Sequence, residues 1–152
     1  MSDIFAFMND QIFGGSLPKN DEDIQAIIAK GIDVVISFEA PSISIEDANI
    51  EHIPLFIKDF GIPSEEQVKK FLSIVKERLS QNKKILVHCY AGCGRTGLML
   101  VLISLELFHK DLKSTLQQLL EVRPCSTEVI HNPIQSRFLK EYAERLKQRA
   151  SL

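Results

Sequence analysis

Twenty-five residues in the second half of the chain constrain its fold more than any others. Lys84-Ile85-Leu86-Val87-His88 is a short apolar run of strand character, and Gly97 to Phe108 is nearly all apolar at helical length. A glycine-bearing loop joins them. A strand without polar alternation must be covered on both faces, and a helix apolar around most of its circumference must be buried on most sides. Both demands are met in an α/β architecture, a central and mostly parallel sheet flanked by helices, which is the fold class expected here.

The remaining pattern agrees. Residues 21–30 begin acidic, carry apolar side chains at 24, 27 and 28, and stop at Gly31, so a helix is expected there. Val34 to Phe38 reads as a buried strand and Asn49 to Phe56 as a second extended segment. Ser64-Glu65-Glu66-Gln67 has the form of a capping box and opens a helix to about Gln81, with apolar residues at 68, 71, 72, 75 and 79. Asp111 starts another helix that ends before Pro124, and Asn132-Pro133 starts the last one. No repeat or linker divides the 152 residues, so a single domain over 1–152 is expected.

The joining loop holds the chemistry. In His88-Cys89-Tyr90-Ala91-Gly92-Cys93-Gly94-Arg95-Thr96-Gly97 a cysteine ends a strand, and a tight loop runs into a helix N-terminus. Successive backbone N–H groups of such a loop converge on one concavity, where the helix dipole adds positive potential. Residues Tyr90, Ala91, Gly92, Cys93 and Gly94 would line it, and Arg95 supplies a planar fork matched to two phosphate oxygens. The same field favours the thiolate at Cys89, the nucleophilic form of sulfur. An anion site built around a sulfur nucleophile implies attack on the phosphorus of a bound phosphate monoester.

These residues resemble the signature of the cysteine-dependent protein tyrosine phosphatases, His-Cys-x5-Arg-Thr, at His88, Cys89, Arg95 and Thr96. The small size, the Phe13-Gly14-Gly15-Ser16-Leu17-Pro18 opening, the Gly31-Ile32-Asp33 lead into a strand and Arg123-Pro124 are similar to the small atypical dual-specificity group. The resemblance implies that Cys89 forms a phosphocysteine, that His88 supports the loop through hydrogen bonds to backbone, and that the Thr96 hydroxyl bonds the sulfur. Thr96 also suits a helix N-cap.

A leaving oxygen needs a proton, and Asp59 is the candidate general acid, in a Gly/Pro-marked loop thirty positions before Cys89. Asp47 is the weaker substitute, and Glu65 and Glu66 suit the first turn of a helix. The resemblance gives Gln135 the placing of the hydrolytic water, yet Gln135 is also the third helical residue after Asn132, where it would complete a capping box.

Three cysteines do not make a disulfide framework, and the odd count points to a reducing compartment. Cys93 is expected to fill a small slot in the loop; alternatively Cys93 or Cys125 would trap an oxidised Cys89. His52, His109 and His131 lack metal-ligand spacing, so neither metal nor cofactor is expected. The net charge of −2 disfavours nucleic acid, and no apolar run approaches the ~20 residues that cross a bilayer. Without a basic-then-apolar leader, a cytoplasmic monomer acting on phosphoprotein or phosphopeptide is the expectation. The loop carries no lysine, which argues against inositol lipids. Two rivals use the same fold: an RNA 5′-triphosphatase, and a phosphate-binding module without turnover. A sulfur-transfer enzyme is more remote, since it would not need an acid at position 59.

Overall fold

The computed structural model of the protein describes residues 3–45 and 49–151. Its sheet has five strands, β1 (Ile4–Met8), β2 (Ile12–Gly15), β3 (Val34–Ser37), β4 (Glu51–Pro54) and β5 (Ile85–His88), in the order β1-β2-β5-β3-β4. β2, β5, β3 and β4 run parallel, and only the β1–β2 pair is antiparallel. Every residue of β3 and of β5 is buried, as expected of parallel strands covered on both faces.

The alternation of side chains divides the core into two layers. Val34, Ile36, Ile85 and Val87 face one layer, while Val35 and Leu86 face the other. Helix α1 (Asp21–Ala29) covers the smaller layer through Ile27, with the half-buried Ile24 packed beside it. The larger layer is filled by α2 (Glu65–Ser80), α3 (Gly94–Leu107), α4 (Leu112–Val122) and α6 (Pro133–Ala150). α3 is its axis, buried without interruption from Gly94 to Leu105.

Helix starts follow the side chains that cap them. Asn20, Ser64, Asp111 and Asn132 each accept a backbone N–H of the first turn, and Ser64 with Gln67 forms the complete capping box. Three features were not expected from sequence. The β1–β2 hairpin precedes the first helix, and the stretch after Arg123 forms a 3₁₀ turn (Pro124–Thr127) and a short α5 (Glu128–His131) before α6. Helix α3 also begins three residues before Gly97, so the glycine loop is shorter and its end already helical.

Candidate functional site

The carboxyl ends of β3, β4 and β5 point to one side of the sheet, where parallel α/β folds place ligands. β5 delivers His88 and then Cys89, which is a buried free thiol. The loop 89–93 turns over the end of β2: Leu17 N–H donates to Tyr90 O at 2.9 Å, and Gly92 takes φ +74° with its α-carbon against the Gly15 carbonyl. A Cβ at residue 92 would stand 2.6 Å from that oxygen, so glycine is required there by space as well as by dihedral. Tyr90 is exposed at the mouth, while Gly92 and Gly94 are buried.

Arg95 rises from the first turn of α3 with only 3% of its surface exposed. Its Nη1 donates to Glu39 Oε1 at 2.8 Å and to Ile57 O at 2.8 Å, and its Nη2 lies 3.3 Å from Asp59 Oδ1. Among the described residues Nε has no hydrogen-bond partner. The guanidinium is therefore anchored by its Nη1 corner to the loops after β3 and β4. Among those residues the Nε–Nη2 edge, the one suited to two oxygens of a phosphate, is engaged only by Asp59.

Behind Cys89 runs a directed chain of hydrogen bonds. Burial pushes the His88 imidazolium down to a pKa of about 4, so at neutral pH the ring is neutral with one N–H. The Cys89 carbonyl, 2.9 Å from Nδ1, can only accept, which places the proton on Nδ1. Nε2 then accepts from Ser37 Oγ at 2.6 Å, and Ser37 Oγ accepts from His52 Nε2 at 2.7 Å. His88 thus orients the backbone that carries the sulfur.

Asp59 lies in the turn after β4, its Oδ1 accepting from Phe60 N–H at 2.9 Å. Gln135 is fully buried, donating Nε2 to Gly61 O at 3.1 Å, while its Oε1 has no partner among the described residues. Asn132 caps α6, but the Gln135 side chain turns to the 59–61 loop instead of back to Asn132, so there is no capping box at this helix. Thr96 is buried inside the first turn of α3 and is not its N-cap, a position held by Cys93. The expected bond from the Thr96 hydroxyl to the sulfur is not made either: among the described residues its Oγ1 has no hydrogen-bond partner. Asp47 lies outside the described residues.

The cysteine expectations are corrected. Cys93 and Cys125 form a disulfide with each other, Cα–Cα 5.4 Å, and Cys89 stays free. The odd cysteine count is thus one pair and one thiol, and Cys93 neither fills a passive slot nor pairs with Cys89. The disulfide ties the loop to the 3₁₀ turn after α4. Arg123 reinforces the tie, donating Nη2 to Ala91 O at 2.7 Å and Nε to Gly92 O at 3.2 Å while paired with Asp3. Closing 32 residues in sequence should constrain the unfolded chain. Reduction, or Cys125→Ser, is expected to lower the unfolding free energy by about 3 kcal/mol, measured by urea titration with and without reductant.

The family comparison decides the identity. Residues 13–107, more than half of the chain, match the model described as "Polymorphic toxin system, DSP-PTPase phosphatase". The chain belongs to this family of dual-specificity-type, cysteine-dependent phosphatases. A probable protein tyrosine phosphatase type IVA B of Dictyostelium discoideum is 34% identical over 92 residues, 58% of this DSP-PTPase chain and 53% of its own length. The dual specificity protein phosphatase CDC14A of Mus musculus is 35% identical over 96 residues, 62% of this chain and 15% of its own length. The chain thus spans about half or less of these curated relatives. Tk-PTP, solved in a glycine-to-alanine mutant form, superposes with a TM-score of 0.82 at 27% identity, covering 95% of this chain and 97% of that one.

The structure brings Arg95, Asp59 and the loop 89–94 to one side of the sheet, with Gln135 reaching the Asp59 loop. Four participants were not singled out from sequence: Glu39, Ser37, Arg123 as a holder of loop carbonyls, and Asn132 beyond its cap. The signal for Glu39 and Ser37 was their place at the carboxyl end of a parallel strand.

Proposed function

We propose that this DSP-PTPase hydrolyses phosphate monoesters on tyrosine side chains of proteins or peptides, and on serine and threonine more slowly, through a phosphocysteine at Cys89. The observation that carries this reading is Arg95, anchored by Glu39 and the Ile57 carbonyl so that its Nε–Nη2 edge is presented beside Asp59. The N–H groups of residues 90–95 and that edge hold the phosphate, and the Cys89 thiolate attacks phosphorus. The S–P bond forms as the P–O bond breaks, and Asp59 gives its proton to the departing oxygen. Water then attacks phosphorus, giving its proton back to Asp59, and the S–P bond breaks to restore the thiolate. Gln135, with its Oε1 unpartnered and its Nε2 fixed on the Asp59 loop, places that water. His88 supports the backbone that carries the sulfur. The steps draw on neither metal nor cofactor.

Phe60 and Tyr90, 60% and 57% exposed beside Asp59 and Cys89, offer apolar faces to an aromatic ring entering the site. The uncharged loop residues favour a phosphoprotein over an inositol lipid. We place the catalytic unit in residues 1–152, acting as a monomer; the Cys93–Cys125 disulfide counts against the reducing compartment expected from the odd cysteine count. No helix among the described residues is long and apolar enough to cross a membrane. Phosphate release from a phosphotyrosine peptide, a 5′-triphosphorylated oligoribonucleotide and an inositol phospholipid, with chelator present, tests the assignment. Release from the peptide is expected to dominate; dominant release from the RNA end would replace it with the triphosphatase reading.

A further inference from the structure

The loop that carries Asp59 is held by side chains from three helices. Its carbonyls at Phe56, Ile57, Phe60 and Gly61 accept from Gln67 Nε2 at 2.9 Å, Arg95 Nη1 at 2.8 Å, Asn132 Nδ2 at 3.1 Å and Gln135 Nε2 at 3.1 Å. Phe60, which carries the first of the last two carbonyls, has φ +61°, a left-handed backbone that a non-glycine residue keeps only where its surroundings impose it.

Asn132 is the informative member of this set. Its Oδ1 accepts from Ile134 N at 2.9 Å and Gln135 N at 3.1 Å, capping α6. That cap fixes the plane of the amide, so the opposite corner, Nδ2, is committed to the Phe60 carbonyl. Aspartate or serine would cap the helix as well, but neither offers a second donor there. We infer that Asn132 is a positioning residue for the general acid: through the Phe60 carbonyl it clamps the acid loop over the phosphate loop, so that Asp59 is in place before substrate arrives. The inference rests on the reading of Asp59 as that acid.

A clamp on the acid, unlike a helix cap, acts on leaving groups unequally. A phenol with high proton affinity needs the acid in the transition state and nitrophenol hardly does. The test compares kcat on phenyl phosphate with kcat on p-nitrophenyl phosphate in wild type, Asn132→Asp, Asn132→Ser and Asp59→Ala, alongside thermal midpoints. Asn132→Asp keeps the cap and sets a carboxylate against the Phe60 carbonyl; Asn132→Ser keeps the cap with nothing reaching the loop. Both are expected to shift the ratio against phenyl phosphate by about tenfold, a size typical of a catalytic group displaced by a fraction of an ångström, with midpoints near wild type. Asp59→Ala should shift it further. If Asp59→Ala shifts the ratio and neither Asn132 variant does, the clamp is overturned while the acid stands. An equal loss on both substrates with a lowered midpoint would reduce Asn132 to a cap and also overturn the clamp. If Asp59→Ala leaves the ratio unchanged, the acid reading itself fails and the clamp with it.

Discussion

Cys89→Ser is expected to abolish turnover, by at least about 10⁴-fold, while phosphate binding survives. The difference follows from how the site is divided. In the proposed mechanism the anion is held by the N–H groups of the loop and by Arg95, whose position is fixed by Glu39 and Ile57 and not by the sulfur. A hydroxyl at residue 89 occupies the buried thiol site with little change of shape but stays protonated, so no nucleophile of comparable strength forms. Hydrolysis of p-nitrophenyl phosphate between pH 5 and 8 with chelator, beside calorimetric titration with inorganic phosphate or vanadate, separates the two quantities. His88 does not complicate the profile. With its pKa pushed down to about 4 by burial it is predominantly neutral over most of that window. Residual turnover of Cys89→Ser near the wild-type level would remove the phosphocysteine from the mechanism.

The strand–loop–helix from Lys84 to Phe108 was legible because three independent demands coincide there: an apolar strand, glycines and an arginine in the loop, and an apolar helix. The capped helices were legible because a cap is a local device. The β1–β2 hairpin was not, for a physical reason. Its turn residues Asn9 and Asp10 take φ +54° and +55°, the left-handed pair a tight hairpin needs, without the glycine that normally signals it. The same limit applied in the site. Cys93 and Cys125 carry no spacing that dictates pairing, and the two ends meet only because α3 and α4 pack together and return the chain to the loop. Asn132 could be read as a cap from its neighbours, but its second hydrogen bond goes to Phe60, 72 positions away, and belongs to the tertiary structure alone.

Two carboxylates face the Arg95 guanidinium, and the proposed mechanism gives only one of them, Asp59, the part of the acid. Glu39 sits on Nη1, the corner occupied also by the Ile57 carbonyl and turned toward the sheet. Asp59 sits on Nη2, next to the unpartnered Nε, which is the edge a phosphate would share. A leaving oxygen on that phosphate is therefore within reach of Asp59, and Glu39 holds the arginine in place. Asp59→Ala is expected to slow a phosphotyrosine peptide by about 100-fold and p-nitrophenyl phosphate much less, since general acid catalysis is worth most where the leaving group is most basic. Glu39→Gln should instead weaken phosphate binding without changing the leaving-group dependence. Peptide turnover that is unchanged in Asp59→Ala but falls steeply in Glu39→Gln would exchange the two roles.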